Sequence, residues 1–269
     1  MNVFRLELKN TWKTSLKWAI ALCGTAFLLL AFFPSMQSES MKALAGAKME
    51  GVDPALLEAL GLGELMDFTD ITNYFGYILQ YLTLAIMVFV TQAAVNSLVK
   101  EETDGTIEFL YSKPVSRSEI FIQKTLANIL SLLFILITLF IVTITGYISF
   151  SEYNFVESIK EAGTFYGSVL FVGLIFMSLG ILLSSLIKSS KGSSGIVIAI
   201  VFGTFILGIM GVIINELSFL TYFSPMDWIK TQKLMSEGIN NEEWLIGVLT
   251  IIVCSLASHE IYKRRDLHA

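Results

Sequence analysis

Charge is scarce in this sequence. Only 15% of its 269 residues are Asp, Glu, Lys or Arg, against about 25% in an ordinary soluble domain. Histidine is scarcer still: His259 and His268 are the only two, so a histidine metal site or a Ser-His-Asp arrangement has no material. The two cysteines, Cys23 and Cys254, lie inside apolar runs and form no Cys-x-x-Cys pair, which excludes zinc and dithiol motifs. They are expected to be small buried hydrophobes without a disulfide. Four prolines exclude a linker-rich chain. No Gly-x-x-x-x-Gly-Lys-Ser/Thr segment occurs, so ATP hydrolysis by that route is excluded, and no catalytic residue, metal or bound cofactor is expected in this chain.

What the sequence has instead is apolar length. It is 54% hydrophobic, with a mean hydropathy of +0.69. A soluble enzyme, a secreted scaffold and a nucleic-acid binder are excluded together. A helix that crosses a bilayer needs about 20 mostly apolar residues. The runs Leu16–Phe33, Phe75–Val99, Thr125–Phe150, Thr164–Ile187, Ser193–Ile214 and Trp244–Ile261 qualify. The middle of each run is free of Asp, Glu, Lys and Arg, while Lys17 and Glu260 stand at run edges. Ionisable groups inside a membrane mark proton relays and ion-coupled carriers; their absence argues against proton-coupled transport.

Six spans put both termini on one side. Thirteen of the 18 basic residues flank the spans on that side, among them Arg5, Lys9, Lys13, Lys100, Lys113, Arg117, Lys124, Lys188, Lys191 and Lys263–Arg265. Lys42, Lys48, Lys160, Lys230 and Lys233 are on the other. The bias predicts cytoplasmic termini. The basic start does not read as a cleaved signal, because Phe32-Phe33-Pro34-Ser35-Met36 lacks a small-x-small site.

The lead-in, residues 1–17, carries Phe4, Leu8, Trp12 and Leu16 at four-residue spacing beside Arg5, Lys9, Lys13 and Lys17. That pattern predicts an amphipathic helix lying on the cytoplasmic membrane surface. The first outer connection, residues 34–74, is long and acidic, with Glu39, Glu50, Asp53, Glu58, Glu64, Asp67 and Asp70. Within it Asp53-Pro54 predicts a short helix stopped by Gly61. The last outer connection, residues 215–243, holds Leu217, Phe219, Leu220, Tyr222, Phe223 and Trp228, which predicts short helices dipping into the outer leaflet.

The connection at residues 100–119, between spans two and three, is the most informative. Gly105 followed by Glu108 predicts the start of a short cytoplasmic helix that Pro114 stops, and Ser116-x-x-Glu119 predicts a capping box opening span three. Ile107, Phe109, Leu110 and Tyr111 make that short helix too apolar to stand in water without a partner. The motif Glu-x-x-Gly-Thr-x-Glu-x-Leu, followed by Pro-Val-Ser-Arg, resembles the coupling-helix segment of ABC exporter permeases of the second type. Glu102, Gly105, Thr106, Glu108, Leu110, Pro114, Val115, Ser116 and Arg117 match it as they stand. The lead-in, six spans and aromatic last loop extend the likeness over residues 1–269, as one transmembrane permease domain. The first outer connection is longer and more acidic than minimal members lead one to expect.

The resemblance implies an all-α membrane protein that dimerises in the plasma membrane of a bacterium. Each copy would dock a separate ABC ATPase subunit, which would hold the ATP and Mg, beneath its coupling helix. Gly195, Ala199 and Gly203 in span five form a small-residue stripe that fits either a dimer axis or packing within one chain, and the resemblance points to the former. Gly163 and Gly167 are a second such pair. In span two Tyr77, Gln80, Thr83, Met87 and Thr91 share a face beside Gln92 and Asn96, fitting either a translocation path or interhelical hydrogen bonding. With 20 Phe and 10 Met, a cavity here would be greasy and deformable, which suits an amphipathic or hydrophobic cargo such as a peptide toxin, an antimicrobial peptide, a lipid or a drug. An ion-coupled carrier or channel, and a sensor or scaffold that transports nothing, are the competing readings.

Overall fold

The computed structural model describes residues 3–40, 54–60, 68–106 and 115–265. Regular structure among them is helical throughout. Six helices are long and apolar enough to cross a membrane: α1 (Val3–Ala31), α4 (Ile71–Thr103), α5 (Arg117–Phe150), α6 (Phe155–Leu186), α7 (Ser193–Ile213) and α9 (Asn241–Arg264). The short helices α2 (Phe33–Met36), α3 (Pro54–Ala59) and α8 (Thr231–Ser236) and two 3-10 segments, Asn215–Phe223 and Asp227–Ile229, complete the fold. Asp53 and Gly61, the expected bounds of α3, lie outside the described residues.

Caps written in the sequence open the long helices. The Asp70 side chain accepts from Asn73 N at 3.0 Å to start α4, and Ser116 accepts from Glu119 N at 3.2 Å to start α5. The return half of the expected box at Ser116 is replaced, since the Glu119 carboxylate takes a hydrogen bond from Gln123. Asn154 and Glu157 make the reciprocal box in full at the head of α6.

The spans differ sharply in how much they bury. The most apolar windows of α4 and α6 are 72% and 67% buried, against 22% for α7 and 17% for α9. The pair α4–α6 is therefore the core, with α5 and α1 on one flank, α9 against α6, and α7 against α4. Close packing at the core pair depends on Gly180, where a Cβ would stand 2.8 Å from both the Thr91 carbonyl oxygen and Ala94 Cβ. In a lipid setting the exposed Ile20, Phe27 and Leu28 of α1, and Leu245, Val248, Leu249, Ile252 and Val253 of α9, are the ordinary faces of spanning helices.

The lead-in departs from expectation. It forms no separate surface helix; α1 runs unbroken for 29 residues, about 43 Å at 1.5 Å per residue. It lies parallel to α5 along its whole length. Phe4 N donates to Gln123 Oε1 at 2.8 Å, the Trp12 and Phe134 rings sit 4.8 Å apart, and Leu30 packs on Gly146. The residues buried on this helix are Val3, Glu7, Ser15, Ala19, Leu22, Ala26 and Leu30. That second stripe, invisible beside the louder Phe4/Leu8/Trp12/Leu16 pattern, is the one packed into the bundle, while Trp12 and Leu16 stay partly exposed.

The start of α1 and the end of α9 meet the same end of α5. Tyr262 and Phe121 have ring centroids 6.3 Å apart, and His259 is 2.9 Å from Ser118 Oγ. Both termini thus share one end of the bundle, the termini end. At the far end the aromatic connection divides. Trp228 is buried and donates Nε1–H to the Thr221 carbonyl at 3.0 Å, whereas Phe219, Tyr222 and Phe223 are exposed.

Candidate coupling site

Two adjacent carboxylates close α4 at the termini end and turn in opposite directions. Consecutive helical residues are about 100° apart around the axis, so Glu101 and Glu102 cannot serve the same neighbour. Glu101 accepts from Lys124 Nζ at 2.6 Å. The same ammonium donates to the Ser97 carbonyl at 2.5 Å and pairs with Glu7 at 3.4 Å. Lys124 is 0% exposed. A charge so placed is kept only when paired and hydrogen-bonded, and here α1 and α4 supply the partners for the lysine of α5. Glu102 faces α9 instead, where Arg265 Nη2 donates to its Oε2 at 2.7 Å.

The chain leaves α4 through Gly105, whose φ of 66° is left-handed. Thr106 N donates to Glu101 O at 2.8 Å and Gly105 N to Glu102 O at 3.4 Å, which is the Schellman pairing that ends a helix. Gly105 is thus the stop of α4, and its lack of a Cβ suits the left-handed turn. The short helix expected to follow it, up to Pro114, lies outside the described residues. The chain re-enters at Val115, half-buried against the core, and Arg117, whose Nη1 donates to the carbonyls of Arg265 at 2.6 Å and Lys263 at 3.1 Å. Of the residues matching the coupling motif, Glu102, Gly105, Thr106, Val115, Ser116 and Arg117 are described. Glu108, Leu110 and Pro114 lie outside the described residues. Glu102 is turned into the subunit rather than outward.

The face expected to line a path behaves differently. Gln80, Thr83, Met87 and Thr91 are buried within the subunit, and the Thr91 hydroxyl donates to Met87 O of its own helix at 2.6 Å. Tyr77 stays on the open side. That side is completed by Tyr81, Ala85, Val88, Gln92 and Asn96, the residues of α4 left exposed or half-buried. Tyr81 donates its phenol to Tyr77 at 3.1 Å. Gln92 Nε2 reaches Asn96 Oδ1 at 3.1 Å and Ser193 Oγ at 3.0 Å, tying α4 to the first turn of α7. The offset is one helical position, which a periodicity argument cannot resolve when polar residues occupy both faces.

The stripe of α7 also divides. Gly195 and Gly203 have no atom within 4 Å of where a Cβ would stand, and Ala199 is exposed. The lower glycines of the same helix are used internally, Gly208 against Ser224 and Gly211 against Thr221. Gly163 and Gly167 of α6 meet nothing within 4 Å either.

At the far end an open hollow of about 420 Å³ is lined by Tyr222, Lys233, Asn240, Asn241, Glu242 and Glu243. Tyr222 donates to Glu242 at 2.8 Å, and that carboxylate holds the phenol above its ordinary pKa. Lys233 pairs with Glu243 at 2.5 Å.

Lys124, Glu7, Glu101 and Arg265 were beyond sequence reasoning as site residues, since each reads as an ordinary flanking charge. The only hint was Glu7, the one acid in a lead-in otherwise basic. No curated protein matches the chain. The family described as ABC-2 family transporter protein matches residues 1–267, so the chain, with its six membrane-crossing helices, belongs to the ABC-2 transporter family.

Proposed function

We propose that this chain is the transmembrane subunit of an ATP-driven ABC exporter, working as a pair of permease copies with a separate ATPase subunit docked on each. The family match over residues 1–267 carries the reading. The termini end, rich in Lys and Arg, is cytoplasmic, and the segment between α4 and α5 receives the ATPase through Glu108 and Leu110. The membrane is the bacterial plasma membrane. ATP and Mg belong to the partner. The cargo is amphipathic or hydrophobic, a peptide toxin or antimicrobial peptide ahead of a lipid or drug, because the spans offer aromatic and Met surface and no intramembrane charge in their middles. Its route follows Tyr77, Tyr81, Val88, Gln92 and Asn96 of α4, the side of that helix the subunit leaves open. The Gly195/Ala199/Gly203 stripe of α7, open among the described residues, meets the second copy.

The test is reconstitution. Tagged chain purified from its own host should bring down an ABC ATPase, and vesicles holding both should move a fluorescent amphipathic peptide only with hydrolysable ATP, with vanadate stopping it. Gradient-driven flux without ATP would establish the carrier reading instead. A stable chain that captures no ATPase and moves nothing would establish the scaffold.

A further inference from the structure

Four pieces of the chain converge on one residue at the termini end. Arg265 follows the last turn of α9, and its guanidinium reaches across to two other helices. Nη2 donates to Glu102 Oε2 of α4 at 2.7 Å and to the Ile187 carbonyl at 2.6 Å, while Nη1 donates to the Ser184 carbonyl of α6 at 3.2 Å. The carbonyls are those a helix leaves without partners at its C-terminus, so Arg265 caps α6 from outside and places a cation where its dipole favours one. The fourth piece is α5, because Arg117 Nη1 donates to the backbone carbonyl of Arg265 itself at 2.6 Å. Thr103 and Ser190 add a lateral tie, with Ser190 N donating to Thr103 Oγ1 at 2.9 Å.

This geometry needs arginine. A planar fork with five donors can serve a carboxylate and two carbonyls at once, whereas an ammonium concentrates its donors at one point. The pair is also withdrawn from solvent, with side chains 10% and 6% exposed, so salt screens it little. Ion pairs of this kind contribute modestly to net stability, because desolvation offsets attraction; one role open to them is fixing where their partners stand. Here the partners are residues 102 and 117, on either side of the segment between α4 and α5.

We propose that Arg265 is a positioning residue for energy coupling: the end of α9 is a strut between Glu102 and Arg117 that fixes the spacing of the two feet of the α4–α5 segment and joins their movement to α6 and α9. The proposal rests on the reading above that this segment receives the ATPase. A push on the segment is then delivered to two spanning helices at once instead of being absorbed by a change in the spacing of its feet.

The experiment measures the spacing directly. Spin labels at the exposed positions Asp104 and Glu119, with Cys23 and Cys254 replaced by Ala and labelled chain diluted with unlabelled, report the distance between the feet in nanodiscs. The native clamp should give one narrow distribution. Arg265→Gln should at least double its width, the isosteric Glu102→Gln should do the same, and the double variant should be no wider than either. Arg265→Lys should fall between. An Arg265→Gln distribution as narrow as the native one overturns the strut; if Arg265→Gln does not insert, a native-width Glu102→Gln distribution overturns it equally. In vesicles with the co-purified ATPase, Arg265→Gln should hydrolyse ATP within twofold of the native rate yet move at least fivefold less fluorescent amphipathic peptide per ATP, with partial recovery in Arg265→Lys. Equal peptide per ATP overturns the coupling role. Absence of ATP-driven flux in the native protein overturns the exporter reading alone, and the distance widths still decide the strut.

Discussion

Lys124 of α5 donates to Glu101 of α4 at 2.6 Å with no part of its side chain exposed. Removing the cation strands two carboxylates, those of Glu101 and Glu7, in a nearly dry site. Lys124→Met is expected to lower the stability of the detergent-solubilised protein by about 3–5 kcal/mol, read as a large fall in thermal unfolding temperature. Breaking the exposed Arg264–Glu260 pair should change it by about 0–1 kcal/mol. Similar losses from the two changes would show that the buried triad contributes no more than a surface pair.

Gly180 tests the core pair. A methyl group there meets Thr91 O and Ala94 Cβ at 2.8 Å, and neither is a flexible side-chain end. Gly180→Ala should cost about 1–3 kcal/mol through forced separation of α4 and α6. Gly163→Ala, which meets nothing within 4 Å, should not destabilise and is the matched control.

The two halves of the α7 glycine series should separate by phenotype. Gly203→Leu should leave the single chain folded and reduce the dimer fraction in nanodiscs at least threefold. Gly208→Leu, facing Ser224 within the subunit, should instead reduce folded yield. A Gly203→Leu protein that dimerises as the native chain does would move the dimer contact off α7.

For the path, Tyr81→Ala should change peptide flux severalfold while thermal stability shifts by less than about 1 kcal/mol, since its side chain is exposed. Gln92→Ala should change flux likewise, at a cost of about 1 kcal/mol for the lost tie to Ser193. Met87→Ala should do the reverse, costing about 2–5 kcal/mol as a fully buried truncation. Unchanged flux in the first two variants would remove this side of α4 from the route.

The acidic far-end connection holds a graded prediction. Neutralising Glu58, Glu64 and Asp67 should slow export of a cationic peptide more than a neutral one, with the difference shrinking as salt rises, because salt screens charge–charge attraction beyond about 8 Å at physiological ionic strength. Asp70 belongs to a different class. It caps α4 and takes a hydrogen bond from Tyr153 at 3.3 Å, so Asp70→Ala should cost about 1 kcal/mol whatever the cargo.

Span number, the cap at Ser116 and the shared side of the termini were legible because each depends on local pattern: apolar length, a side-chain acceptor at a helix start, and an even count. The orientation of α1 was not. Its pattern of Phe4, Leu8, Trp12 and Leu16, half-buried at Phe4 and Leu8 and exposed at Trp12 and Leu16, is more hydrophobic than the buried stripe through Glu7, Ser15 and Ala19, and hydrophobicity alone does not say which face meets a neighbouring helix. The same ambiguity moved the open side of α4 by one position, from Gln80 and Met87 to Tyr81 and Val88. Glu7 and Arg265 were hidden for another reason. Their partners, Lys124 and Glu102, lie 117 and 163 residues away, and composition carries no record of such pairings.

The length of α7 has a physical consequence for the assembly. At 21 residues it spans about 31 Å, the thickness of the hydrocarbon layer itself, while α4 and α5, with 33 and 34 residues, run to about 50 Å. The longer helices meet a thicker bilayer with length to spare. α7 has none, so added thickness must be met by thinning the lipid beside it or by shifting it along α4. The helix that carries the open glycine stripe is therefore the one most sensitive to hydrophobic mismatch, and acyl-chain length becomes a control on how it seats.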